Sequence, residues 1–195
     1  MKNNGTVQLE TERLLLRKFV IEDVEQSYIN WASDCETSKY FAFYPHKEMN
    51  DTESIIMQWI NAYQNEGSNY IWAVVEKNSN EVIGNISADS SYRILNICEI
   101  AYMLGSKWWN KGYATEALNA VIHYLFITED FYMIEAKYNA ENIASGKLLQ
   151  KIGMKQDGVL RDRRLDKETG KRNDLVICSI IKSEYKNNTQ TGSLS

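Results

Sequence analysis

One proline, ten glycines and three cysteines among 195 residues leave few places where ring chemistry, backbone freedom or cross-linking could dictate the fold. Pro45 is the single position at which an element must break through ring chemistry. Cys35, Cys98 and Cys178 are far apart and odd in number, which argues against a disulfide framework and for a reducing compartment; small buried hydrophobes are expected there. His46 and His123 stand alone, no Cys pair has metal-ligand spacing, and neither a dinucleotide fingerprint nor a Walker loop is present, so no metal is expected. No run approaches the roughly 20 apolar residues that a membrane span needs, and the opening MKNNGTVQLETE has no apolar signal core. A soluble, cytoplasmic protein without a membrane partner is expected. An excess of positive charge is also missing: 22 Lys and Arg against 26 Asp and Glu give a net charge of −4. That balance offers no whole-molecule field to a phosphate backbone and excludes general nucleic-acid binding, although a local cluster of amides can still hold a small anion.

What is present fits a compact globular chain: 44% hydrophobic, 11% aromatic and 25% charged residues. With no internal repeat and no linker, residues 1–186 read as one domain and the polar run 187–195 as a flexible tail. Arg13 to Phe19 alternate as a strand, and Val24, Tyr28 and Trp31 follow at helical spacing. A second helix carries the stripe Ile55, Ile56, Trp59, Ile60, Tyr63, with Asn50 expected as its cap and Glu53 completing a capping box. Ile71 to Val75 and Val82 to Ile86 flank the turn-rich Lys77-Asn78-Ser79-Asn80 and predict a β-hairpin, with a third strand over Glu99 to Leu104. A helix with the stripe Ala114, Ala117, Leu118, Val121, Ile122, Leu125 is followed by a strand over Met133 to Asn139. A further helix runs from Ile143 to Ile152 and stops at Gly153. A charged hairpin spans Arg161 to Arg172, before a last strand over Asp174 to Ile181. A strand-helix-strand unit beside an antiparallel meander implies an α/β architecture: a mixed, mostly antiparallel sheet with helices on both faces.

The informative junction lies between the Glu99 to Leu104 strand and the helix that follows. A helix N-terminus presents unpaired amides and a partial positive charge, so a short loop entering it can hold an anion. Gly112 lets the backbone approach a ligand, Lys111 adds a cation, and Ala114 leaves room. Such a loop suits a pyrophosphate, yet an ordinary strand-to-helix turn with a glycine is the commoner structure.

Three segments in order, TERLLLRKFVIEDVE, EIAYMLGSKWWNKGYATEAL and IEAKYNAENIASGKLLQKIGMKQDGVLRD, resemble the GNAT superfamily of N-acetyltransferases, above all the branch that acetylates ribosomal-protein N-termini. The resemblance runs from about Thr11 to Tyr185. It implies the GNAT acyl-CoA N-acyltransferase fold, acetyl-CoA as co-substrate, and a primary amine as acceptor, either a protein N-terminus or a small amine. A homodimer is left open. The family's loop pattern falls on Trp109, Asn110, Lys111, Gly112, Tyr113 and Ala114, so that amides from Asn110 to Thr115 are expected to hold the pyrophosphate. Tyr102, Met103 and Leu104 are expected along the pantetheine arm, and the Asn-x-x-Ser at Asn142 and Ser145 matches a motif whose Asn bonds the same arm. The chain departs from the family at Trp109, where Arg or Gln is usual, at Asn110, where close relatives have Gly, and at Leu149, where many members have a Tyr as general acid.

Acyl transfer from a thioester to an amine needs a neutral amine, an oxyanion stabiliser and a proton for the thiolate. A backbone N–H near Met103 is the expected oxyanion donor, and the resemblance gives Ser145 the thiolate's proton. Glu99 is the candidate base, with Asp162 in the charged hairpin a weaker one; Glu99 is more commonly an edge-strand carboxylate paired with Lys or Arg, and Ser145 is readable as a first-turn helix residue that satisfies a backbone donor. Trp31, Tyr40, Phe41, Phe43 and Tyr44 lie where the family builds its acceptor pocket, and some are expected to line it, while Trp108 and Trp109 read as packing. Leu149 keeps a second reading open, a catalytically idle acyl-CoA-binding sensor or assembly module. A structural interaction domain without a CoA site is the third.

Overall fold

The computed structural model describes residues 4–64 and 69–185. The run 187–195, read from the sequence as a tail, lies outside the described residues. In chain order the elements are β1 (Leu9–Glu10), β2 (Leu14–Arg17), α1 (Val24–Ser27), which continues through a π-helical turn over Tyr28–Ala32, α2 (Cys35–Ser38) and α3 (Met49–Ala62). Then come β3 (Asn69–Glu76), β4 (Glu81–Tyr92), β5 (Ile97–Leu104), α4 (Tyr113–Ile127), β6 (Met133–Asn139), α5 (Ile143–Lys151), β7 (Lys155–Leu165) and β8 (Arg172–Ile181). The strands form one sheet in the order β1-β2-β3-β4-β5-β6-β8-β7. Every neighbouring pair is antiparallel except β5 and β6, whose connection through α4 makes them parallel. Among the described residues, no helix is long and apolar enough to cross a membrane.

Strand alternation sorts the core into two layers. Along β3, Tyr70, Trp72 and Val74 point to one face and pack with α4 and α5, while Ala73 and Val75 point to the other and pack with Trp31 and with Ile56 of α3. Both faces are therefore covered, and a run that reads as continuously apolar in sequence is split residue by residue between two cores. Trp72 is fully buried, and its indole N–H donates to the Val7 carbonyl at 2.7 Å, so the ring brings no orphan donor into the interior.

The sheet parts at its parallel pair. The β5–β6 ladder runs from Ile97 opposite Met133 to Ile100 opposite Ala136 and stops, although β5 continues to Leu104 and β6 to Asn139. On its other side β5 stays paired with β4 as far as Leu104 opposite Gly84. Gly84 makes this close approach possible: a Cβ there would lie 2.1 Å from the Met103 carbonyl oxygen. The last residues of β5 are thus held firmly on one edge and left without a strand partner on the other.

Local chemistry corrects the sequence reading in a few places. The N-cap of α3 lies two residues before the expected Asn50: Glu48 takes that position, and the carboxylate of Asp51 accepts from the amides of Lys47 and Glu48 at 3.1 and 3.2 Å. The hairpin after β3 forms as expected, with Glu76 accepting from Asn78 and Ser79 and with Asn80 in the left-handed region. Cys98 and Cys178 are buried as expected, but Cys35 is exposed at the start of α2.

Candidate active site

The loop between β5 and α4 is built to leave amides free. Asn110 and Gly112 both adopt left-handed backbone angles, φ 60° and 83°, and Gly112 is the N-cap of α4 without any side chain to cap it. Among the described residues, none accepts a hydrogen bond from the backbone N–H groups of Asn110 to Thr115; the first amide of α4 to find a partner is Glu116, on the Gly112 carbonyl at 3.0 Å. The loop is braced from outside by residues that no local motif announces. Arg13 donates to the Lys111 carbonyl at 2.9 Å and to Glu116 at 2.7 Å, and its guanidinium lies 4.4 Å from the centre of the Tyr113 ring. Glu116 also accepts from the Thr11 hydroxyl at 2.5 Å and the Arg13 amide at 2.8 Å. Burial pushes the Glu116 carboxyl up, but these bonds outweigh it and hold the group below its ordinary range.

A cavity of about 690 Å³ opens where β5 and β6 part. Of the residues read from sequence as cofactor contacts, its wall includes Tyr102, Met103, Leu104, Trp109, Asn110, Gly112, Tyr113, Ala114, Thr115, Asn142 and Ser145. Lys111 stands outside it, exposed. Trp109, at the family's Arg or Gln position, donates its indole N–H to the Leu104 carbonyl at 2.7 Å and so ties the loop to the end of β5. Trp108 is buried in the core.

Two side-chain arrangements follow on the α4–α5 side. Asn142 caps α5 by accepting from the Ser145 amide at 3.0 Å, which leaves its amide NH2 to donate elsewhere. Ser145 Oγ lies 2.6 Å from the Tyr102 hydroxyl, across from β5. Burial raises the Tyr102 phenol to about 12, so it stays protonated at neutral pH. A phenol is the better donor and an alkyl hydroxyl the better acceptor, and Tyr102 therefore gives its hydrogen to Ser145 and leaves the serine hydrogen free for a ligand. Leu149, at the family's Tyr position, is 1% exposed and packed in the core, so no side chain there reaches the cavity.

The other candidates separate. Glu99 does not line the cavity; its carboxylate meets the Lys137 ammonium at 2.5 Å, and it is Lys137 that reaches the wall. Tyr40 and Phe41 line the cavity. Trp31 does not: it is 4% exposed and stacked on Trp59 at 6.3 Å, in the core with Ile56 of α3. Phe43 and Tyr44 are exposed outside the wall, Phe43 stacked on Phe41 at 5.1 Å and Tyr44 donating to the Lys167 carbonyl at 2.9 Å. Asp162, with φ 54°, sits at an irregularity in β7 outside the wall. None of the three thiols lines the cavity, and burial pushes those of Cys98 and Cys178 up, away from the thiolate a nucleophile needs.

The sheet thus opens at one parallel pair, with unpartnered helix amides at the mouth of the opening and a half-buried pair of hydroxyls inside it. The chain belongs to the acetyltransferase (GNAT) domain family, which it matches over residues 13–155. It is 36% identical to the uncharacterized N-acetyltransferase p20 of Bacillus licheniformis, over 91% of this chain and 97% of that one. It is 32% identical to the ribosomal protein uS5-alanine N-acetyltransferase of Escherichia coli, over 53% of this chain and 54% of the relative. Among solved structures, the GNAT-family acetyltransferase of Bacillus anthracis superposes with a TM-score of 0.78 at 26% identity, covering 91% of this chain and 99% of the other. The fold is therefore the GNAT fold and the protein an acetyltransferase, as the three sequence segments led one to expect.

Proposed function

We propose that this protein moves the acetyl group of acetyl-CoA directly to a primary amine, with no acyl-enzyme between. The amides of Asn110 to Thr115, at the positive end of α4, hold the pyrophosphate, and the unpaired edge of β5 at Tyr102 to Leu104 receives the pantetheine arm as an added strand. The amide NH2 of Asn142 steadies the same arm. Near Met103, a backbone N–H polarises the thioester carbonyl. The neutral amine attacks the carbonyl carbon, the C–S bond breaks, and the departing thiolate takes its proton from Ser145, whose hydroxyl Tyr102 orients; the proton that the new amide nitrogen sheds passes through water to restore the serine hydroxyl. Tyr40 and Phe41 line the acceptor side. Glu99 holds Lys137 at the wall, and as a base it would act only through that lysine or water. Replacing Glu99 with Gln and finding an unchanged pH profile of kcat/KM would remove it from proton transfer altogether.

The observation that carries this reading is the coincidence of the gap between β5 and β6 with six unpartnered amides at its mouth. Calorimetric titration with acetyl-CoA, followed by a panel of amines and short N-terminal peptides read out as free CoA, is the test. Uptake of acetyl-CoA with amine-dependent thiol release is expected. No uptake would sink the proposal, and uptake without release from any amine would favour the idle binding module that the core leucine at position 149 keeps in view.

A further inference from the structure

The β7–β8 hairpin does not hang free; it arches onto the segment that follows α2. Lys167 near its tip donates to the Ser38 carbonyl at 2.8 Å and the Phe43 carbonyl at 2.5 Å, and its own carbonyl accepts from the Tyr44 hydroxyl. The tip is itself organised by Asp166, whose carboxylate takes the amides of Glu168 and Thr169 and the Thr169 hydroxyl at 2.8–3.0 Å. The hairpin is thus a fixed arm over the side of the cavity lined by Tyr40 and Phe41, opposite the face on which α4 and α5 lie.

Arg164 is where this arm enters the cavity wall. It is half-buried, and among the described residues no carboxylate lies within 4 Å of it. Two other charges of the wall are already matched, Lys137 by Glu99 and Glu141 by Lys171. Lys147 and Lys151 are also unmatched but belong to α5, on the cofactor side, and Lys39, exposed on the wall, has its ammonium 5.6 Å from the centre of the Tyr40 ring. A guanidinium held in a partly desolvated wall without a counter-ion is a preformed fork for a planar anion. The surrounding rim agrees in sign: residues 36–44 and 161–172 together hold seven Lys and Arg against four Asp and Glu, on a chain whose net charge is −4. Glu36, exposed on the same wall, is suited to meet the ammonium of an arriving amine.

We propose that the acceptor is an amine that carries a carboxylate, and that Arg164 grips this carboxylate while the amino group reaches the thioester. The inference deepens the acetyl-transfer reading and rests on it. A free amino acid and an acidic residue next to a peptide N-terminus both supply this chemistry.

The test compares kcat/KM for matched acceptors on the full chain: amino acids against their amides, and N-terminal peptides with Asp or Glu against those with Asn or Gln at the second position. At least one carboxylate arm is expected to exceed its neutral partner about tenfold, mainly through KM, and whichever arm does so identifies the source. Arg164→Ala is expected to collapse that ratio to within about twofold and Arg164→Lys to retain part of it, with the acetyl-CoA dissociation constant unmoved in both. Equal rates within every pair, or a preference for polyamines, would overturn the inference. So would an Arg164→Ala protein that loses affinity for acetyl-CoA instead, since the arginine would then serve the cofactor's phosphates. Because acetyl-CoA binding is measured separately, its complete absence in the unaltered protein would strike the acetyl-transfer reading itself.

Discussion

A hydroxyl has one hydrogen to give, and the 2.6 Å contact between Tyr102 and Ser145 decides where the serine's goes. If that polarity matters to thiolate protonation, Ser145→Ala should lower kcat about 10- to 100-fold while acetyl-CoA affinity holds. Tyr102→Phe should lower kcat less, and the double variant should be no slower than Ser145→Ala alone, because both changes act on one proton. Steady-state thiol release on the four proteins checks this, and additive losses would separate the two residues. Ser145 was legible in the sequence because its spacing from Asn142 is a local motif. Tyr102 was legible only as a strand residue beside the cofactor arm, since the partner of its hydroxyl lies 43 residues away. Distance in sequence hid the Arg13 and Glu116 brace in the same way; a Lys or Arg partner for Glu99 was foreseeable for a strand carboxylate, but not that it would be Lys137 of the neighbouring strand.

At the scale of elements, short α2 depends on one carboxylate. Asp34 caps it by accepting from the Glu36 amide and the Thr37 hydroxyl, and it also accepts from the Ser106 amide at 3.0 Å, joining α2 to the loop that leads into α4. Burial pushes the Asp34 carboxyl up, but the Ser106, Thr37 and Glu36 bonds more than offset this and bring it to about 2. Since that lies below the value of about 3.9 expected in the unfolded chain, the stabilisation is complete above pH 4 and is lost as pH falls toward 2. Asp34→Asn should therefore cost on the order of 2 kcal/mol at neutral pH, and the difference from the unaltered protein should shrink as pH falls from 4 toward 2. Thermal melts over that range measure it; a constant difference would place the effect elsewhere. Elements with a strong period, such as α4 and the hairpin after β3, could be read directly. The N-terminus of α3 could not, because Asn50 and Glu53 offered a cap pattern as good as the Glu48 and Asp51 pair that the folded chain uses. For Trp31 two readings competed: the family resemblance placed it at the acceptor pocket, while its helical spacing from Val24 placed it on the buried face, where it lies.

For the whole molecule, the proposed binding of acetyl-CoA in the β5–β6 gap would make stability depend on that ligand. Acetyl-CoA at 100 times its dissociation constant should stabilise the folded state by about 2.7 kcal/mol, which for a chain of this size raises Tm by roughly 5–10 °C. A scanning melt with and without acetyl-CoA reads this, with free adenosine as a control that lacks the arm and the diphosphate. The mixed character of the sheet and the covering of both faces were recoverable from alternation and from the strand-helix-strand unit, whereas β1, the start of β7 at Lys155 and the placing of β8 between β6 and β7 were not. The opening in the sheet was not, because Gly84, which lets β4 keep hold of β5 there, is silent until its neighbour across the ladder is known. That opening is walled by Tyr102, Tyr113 and Leu148 of the core layer under α4 and α5 and by Phe41 and Met103 of the opposite layer. On the proposed reading acetyl-CoA and the amine occupy different parts of this wall, the one toward α4 and α5 and the other toward Tyr40 and Phe41. Neither has to leave before the other arrives, so the rate law should be sequential, with double-reciprocal lines that intersect rather than run parallel.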